Sequence, residues 1–349
     1  MKRKILQFGF ILLTIMLIAC NGDSENTPDV SHVKIDNQYI RFEKELMVLD
    51  SNKMAPALMS LLGKYPAFSN LYFNRLLSLD TNNKEAFKDA MRGFVTNKGI
   101  KDLALKVDKE FSDFDQIIKP QITEAFKLMT YYFPSFKAPN VYTYISEYSY
   151  QQFLFEDNAR DGLGIGLDMF LGGDYPYKEI DPKNDAFSKY ITRSFDKAHL
   201  PRKIMESLII DKIGAAQGSR LIDKMIHRGK ILYFIEKVLP TSPDSIIMEY
   251  THDQMEWVNK NELKMWAFFF DKNLFYESNG MKINKYINPS PNAPGMPDDA
   301  PGRTANYIGL QIVKAFMKKY PETGFQELIN MKDAQKIMDK SRYKPRRNK

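Results

Sequence analysis

The chain has one cysteine in 349 residues, Cys20, and it closes an N-terminal apolar run. With no second thiol there is no disulfide framework, and a zinc site built on several thiolates is excluded as well. Stability must come from apolar burial. The composition supplies it, with 44% hydrophobic against 27% charged residues and 13% aromatics. Those proportions exclude a disordered, collagen-like or coiled-coil chain. His32, His199, His227 and His252 are scattered, so no two stand at metal-ligand spacing on one helix.

The apolar run covers 5–18, broken by Gln7, Gly9 and Thr14, and follows Lys2-Arg3-Lys4. A positive start keeps its end in the cytoplasm, while a short apolar stretch enters the translocon without making a stable span. The run ends in Leu17-Ile18-Ala19-Cys20, the lipobox pattern of bacterial lipoproteins. Cleavage needs the small residue, and the thiol receives diacylglycerol. We therefore expect a lipoprotein signal peptide over 1–19, a lipidated Cys20 and a polar flexible tether over 20–31. The rival readings are an uncleaved anchor helix and a plain signal peptide. Acyl chains contribute about 0.8 kcal/mol per buried CH₂, so several of them on one residue hold firmly. The expected location is the cell envelope, on a periplasm-facing membrane, with the outer membrane preferred to the inner. Loss of the leader lowers the net charge from +7 to +4, which is modest for this size. Nucleic acid is not an expected partner.

From residue 32 to 349 no repeat or long linker appears, so one composite domain is expected. Helical spacing of apolar residues covers 53–65, 83–94, 101–118 and 121–132. Short aromatic and β-branched stretches predict strands at 141–145, 152–155 and 162–170, and 38–50 reads as a strand followed by a loop or short helix. Helical spacing returns over 201–213, 219–228 and 252–272, where Thr251 and Gln254 fit a capping box. Trp257, Met265, Trp266 and 268–270 leave that last helix apolar around most of its circumference, as a buried helix would be. The loop 288–302 holds Pro289, Pro291, Pro294, Pro297 and Pro301 and excludes helix or central strand. Thr304 is the expected cap of the helix after it. The predicted class is α+β, mostly helical with a small mixed sheet.

Chemistry-bearing patterns are few. No His-Glu-x-x-His is present, nor a phosphate-cradling G-x-x-x-x-G-K-[ST], nor a G-x-S-x-G elbow. Asp157, Asp161, Gly162 and Asp168 fall at positions 1, 5, 6 and 12 of a calcium loop, but Ala159 stands at position 3 and position 12 lacks Glu. Gly162-Leu-Gly-Ile-Gly166 has the wrong spacing for a dinucleotide fingerprint, and a strand-like stretch follows it. The basic run 342–349 reads as a solvated tail. Two loops qualify as interaction surfaces: Gly172-Gly173-Asp174-Tyr175, and Asp298-Asp299 with Arg303. Each also reads as a plain conformational turn or helix lead-in. No catalytic residue, metal ligand or cofactor site is assigned.

Several stretches carry a resemblance: the lipobox, 170–176 (Phe-Leu-Gly-Gly-Asp-Tyr-Pro), 221–234, Tyr250-Thr251 with Gln254 and Trp257, Asn261-Glu262 with Trp266, 300–303 (Ala-Pro-Gly-Arg) with Ile308-Gly309, and 342–345 (Arg-Tyr-Lys-Pro). In this order and spacing they resemble the gliding-motility lipoprotein family GldB of Bacteroidetes, over nearly the whole chain. The resemblance implies an envelope lipoprotein required for gliding, working with the motility and type IX secretion apparatus, and no known catalytic activity. Its implied partners are the membrane, through the lipid, and other motility or secretion proteins. Residues 201–234 are more distantly similar to zincin-type metallopeptidases. Laid on that scheme, Glu206 keeps its place, Met205 and Ile209 replace the histidines, and Arg228-Gly229 replaces Glu-Gly. The similarity implies a degenerate zincin-like scaffold without metal ligands. Two alternatives stand beside the non-catalytic reading. One is an envelope hydrolase using Glu206 beside a cleft lined by 288–302; the other is a polysaccharide-binding lipoprotein.

Overall fold

A computed structural model of the chain describes residues 27–158 and 160–347. The expected signal peptide, Cys20, the expected tether as far as residue 26, and Ala159 lie outside the described residues.

The fold is α+β, mostly helical with one small mixed sheet. Its strands are β1 (Tyr39–Arg41), β2 (Asn140–Tyr144), β3 (Gln152–Asp157) and β4 (Arg160–Gly166), in the order β1-β2-β4-β3. The first two pairings are parallel, and β3 runs antiparallel to β4. Both faces are covered, and alternation along the strands sorts residues between them. Tyr142 and Tyr144 join Phe42, Phe68, Tyr72 and Phe73 in an aromatic cluster on one side. Val141, Leu163 and Ile165 enter the larger core on the other.

The three glycines of β4 belong to this packing. In register, Phe155 faces Gly162 and Phe153 faces Gly164. A Cβ on either glycine would run into the opposing ring. The glycine spacing therefore lets aromatic side chains lie flat across the strand, and no helix follows to receive a phosphate.

Helices of eight residues or more are α1 (Met54–Lys64), α2 (Lys84–Thr96), α3 (Lys98–Glu110), α4 (Lys119–Tyr132), α5 (Leu200–Ile213), α6 (Leu221–Val238), α7 (His252–Lys260), α8 (Glu262–Asp271), α9 (Gly280–Ile287), α10 (Thr304–Lys319) and α11 (Ala334–Ser341). The capping box forms at Thr251 and Gln254, with both bonds at 3.2 Å. At the centre α6 and α10 cross with almost no gap. A Cβ on Gly229 would strike the Gly309 backbone, and one on Gly309 would strike the Met225 carbonyl.

Several expectations needed correction. The helix expected at 101–118 ends at Glu110; a wider turn, Phe114–Ile118, then leads into α4. The helix expected at 219–228 extends to Val238, because 231–235 are buried all round and leave no one-sided pattern to read. The helix expected at 252–272 breaks at Asn261, and its circumference is not uniformly buried. Met265 and Phe269 are inside, while Phe270 is exposed. The strand expected at 162–170 ends at Gly166 and tightens into a 3₁₀ turn, Leu167–Phe170. Thr304 does not cap α10. Arg303 holds the cap position at φ 61°, and the Thr304 hydroxyl is buried without a partner. The C-terminal run is not a free tail. Tyr343 donates its hydroxyl to buried Glu262 at 2.7 Å, and the Arg346 amide donates to the same carboxylate at 3.0 Å.

The calcium loop does not form either. Residues 157–168 span the β3–β4 hairpin, so their acids point to separate places. Asp157 accepts from Asn140 and from the Tyr142 hydroxyl. Asp168, fully buried at the far end of β4, accepts from the amides of Ser146 and Tyr148. Among the described residues no group of three or more His, Cys, Asp or Glu is placed to hold a metal ion.

Candidate functional site

Helix α5 starts at Leu200 with Pro201 in its first turn, where a missing N–H costs nothing. Leu200, Ile204, Met205, Leu208 and Ile209 bury themselves in the core. The remaining face carries Arg202, Lys203 and Glu206, which cannot avoid partial burial. That face forms one wall of a cavity of about 510 Å³. Helix α6 supplies Arg228, Ile231 and Leu232; the end of the short helix Asp244–Met248 supplies Met248 and Glu249. Pro289 and Arg303, at the two ends of the proline-rich loop, together with Asn306 on α10, close the other side. A second cavity of about 570 Å³ adjoins it across Arg228.

Charge is the dominant feature of the 510 Å³ cavity. Glu249 is 5% exposed; its side chain accepts from Lys203 at 2.5 Å and from Arg303, with Arg202 at 3.6 Å. Arg193 donates to the Glu249 backbone carbonyl at 3.0 Å. Glu206 pairs with Arg202 one helical turn away and accepts from Arg228 at 3.3 Å. Arg202 is 3% exposed and also donates to the Ile247 carbonyl at 3.0 Å. Four cations thus engage two carboxylates, an excess of two positive charges, and Arg193 adds another charge behind Glu249. Burial alone would favour protonation of both acids. Arg202, with Arg228 and Arg303, outweighs it at Glu206, and Arg202, Arg303 and Lys203 do so at Glu249; both carboxyls lie below the ordinary glutamate range. Burial and the nearby Arg303 push the Arg193 guanidinium below its usual value.

The backbone is bent to bring these groups together. Glu249 sits at φ 53° and Arg303 at φ 61°, in the left-handed region that costs a non-glycine residue of order 1–3 kcal/mol. Their ion pair joins the two bends. The polar lining is also incomplete. Asn306 is 6% exposed; its amide nitrogen donates to the Ile287 carbonyl at 2.8 Å, but Oδ1 has no partner. The buried amide nitrogen of Gln151, another lining residue, has none either among the described residues.

The zincin scheme meets this geometry at two positions. Glu206 and Arg228, separated by 22 residues, do come together. Met205 and Ile209, standing where histidines would, are in the core at 0% and 1% exposure. Glu206 is an ionised acceptor already engaged by two guanidinium groups, a poor state for a general base near neutral pH. What the arrangement offers chemically is concentrated positive charge with spare donors.

Gly172 adopts φ 120°, and a Cβ on Gly173 would press on the Arg193 backbone at 2.8 Å. Tyr175 packs on Tyr148 with their hydroxyls 2.6 Å apart, leaving Asp174 exposed. Asp298 and Asp299 are exposed, the latter beside a shallow groove with Trp257. Arg303 alone of that set enters the charged cavity. Reading the sequence missed Arg193, Arg202, Lys203 and Glu249. The available signal was three charged residues on one face of an otherwise apolar helix start.

No curated protein and no solved structure matches the chain. A family model does, that of Gliding motility protein GldB, over residues 23–345. The chain belongs to the gliding motility protein GldB family, and with it to the motility-related proteins of the cell envelope.

Proposed function

We propose that the chain is a lipid-anchored, non-catalytic component of the gliding-motility machinery. Cys20 carries the acyl chains, with the outer membrane preferred to the inner. The folded part contacts other motility and type IX secretion proteins instead of turning over a substrate. The family match over 23–345 is the observation that carries this reading. The lipobox at 17–20 supports the anchor. The ion pairing of Glu206 and Glu249 supports a binding role over proton transfer.

Three experiments test it. A Cys20→Ala protein that remains in the membrane at wild-type size would remove the anchor. A deletion strain that spreads and secretes normally would remove the motility role. Crosslinking in cells followed by affinity purification of the tagged protein should recover motility or secretion proteins of the envelope. The second reading, an envelope hydrolase, draws on Glu206 facing a cavity that Pro289 helps to line. Stoichiometric zinc in the purified protein, or peptide cleavage that disappears on Glu206→Gln, would favour it.

A further inference from the structure

We propose that the 510 Å³ cavity between α5, α6 and the start of α10 is a binding site for a phosphate ester of a hydroxylated molecule, gripped by Arg228 and Arg303. The inference goes beyond the motility reading and stands or falls separately from it.

The internal ion pairs do not use up the charge. Glu206 and Glu249 are each answered by at least two cations, Arg202, Lys203, Arg228 and Arg303 in all, so two positive charges are left over. Folding alone gives no reason to collect such an excess, since like charges at close range repel in a partly dry site. A dianionic group entering the cavity offsets most of it. The geometry of the spare donors agrees. The side chain of Arg228 meets the protein only through Nη1, at Glu206, and that of Arg303 only through Nη1, at Glu249 and the Met248 carbonyl. The other N–H groups of both guanidinium forks have no acceptor among the described residues. Arg202 Nη1 reaches both glutamates, so the carboxylates that hold the two forks are neighbours across the cavity. Planar forks with paired donors suit phosphate oxygens.

Two further atoms define the rest of the ligand. Gln151 Nε2 is a buried donor without a partner and suits another anionic oxygen. Asn306 Oδ1, on a residue 6% exposed, is a buried acceptor without a partner among the described residues, and no oxygen of a doubly ionised phosphate ester satisfies it. It needs a donor, which a ligand hydroxyl provides. The volume lies within the range of small-molecule sites, and Met169, Ile231 and Leu232 give it an apolar floor. A charged head on a polyhydroxylated body fits that lining better than bare phosphate does.

The test uses the full-length protein purified in detergent and titrated calorimetrically at low salt. The probes are glycerol 3-phosphate, inorganic phosphate, glycerol and lysophosphatidic acid. Glycerol 3-phosphate is expected to bind at millimolar concentration or below and more tightly than inorganic phosphate, with no binding of glycerol. Tighter binding of lysophosphatidic acid would identify a lipid headgroup as the source of the ester; its failure beside a binding soluble ester would identify a soluble or glycan source. Arg228→Gln, at a partly exposed position that leaves Glu206 paired with Arg202, is expected to weaken binding about tenfold or more. Lys98→Gln, which removes one positive charge from an exposed site elsewhere, is expected to leave it unchanged. Absence of binding by every phosphorylated probe would overturn the proposal, as would equal losses in Arg228→Gln and Lys98→Gln. So would inorganic phosphate binding as tightly as glycerol 3-phosphate.

Discussion

Replacing Gly309 by alanine isolates the contact that fixes the central helix pair. On helix propensity alone the change is favourable by about 1 kcal/mol. The tertiary contact opposes it. A methyl there would overlap the Met225 carbonyl oxygen outright and lie 2.7 Å from its carbonyl carbon and 3.0 Å from Cγ, where ordinary contact is 3.4–4 Å. The obstructing atoms are mostly backbone, so no rotamer change relieves them, and α6 and α10 must part by roughly 1 Å or more. A gap of that size forfeits about a quarter to a half of each dispersion contact across the crossing. Overpacking costs about 1–3 kcal/mol, and a backbone obstruction belongs at the upper end. Subtracting the propensity gain leaves a net loss of about 2 kcal/mol. Urea unfolding followed by circular dichroism measures it as a lower midpoint at unchanged slope. Gly93→Ala in α2 is the companion variant. Nothing lies within 4 Å of its added methyl, so it should gain up to about 1 kcal/mol. If Gly309→Ala raises the midpoint as Gly93→Ala does, close approach is not what holds glycine at the crossing.

Three further outcomes are expected. Glu249→Ala strands Lys203 and Arg303, while Arg202 keeps Glu206, and should cost about 3–5 kcal/mol in urea unfolding. Because the folded carboxyl titrates well below the ordinary value, that contribution is full above about pH 4.3 and is lost as pH falls through the depressed one. The gap between wild type and variant should therefore narrow in acid. His227 is lowered to about 4 by burial, with help from Arg228, Lys230 and Lys332. The folded state then holds it neutral while the unfolded chain protonates it near 6.5. Wild type should lose stability relative to His227→Gln as pH drops from about 6.5 to 4, and parallel curves would refute this. Tyr343→Phe removes a bond to a buried carboxylate and should cost about 2 kcal/mol. It should also raise proteolysis after residue 341 if the contact holds the C-terminal run down.

By itself the sequence determined whatever depends on neighbours along the chain. Alternation identified the strands, one-sided apolar spacing identified α1, α2 and α5, the Thr251–Gln254 box set the start of α7, and five prolines kept 288–302 irregular. The same local rules failed where burial surrounds a helix, as in the second half of α6, because nothing periodic distinguishes one side from another. Only the tertiary structure decided the charged cavity. Its ion pairs join residues 46 and 54 positions apart, across two left-handed bends that no local pattern announces. Tertiary contact also decided the meaning of the glycines. Gly162 and Gly164 admit the rings of Phe155 and Phe153, while those at 166, 229 and 309 admit a neighbouring backbone. A glycine records that space was needed; only the folded chain reveals which atoms occupy it.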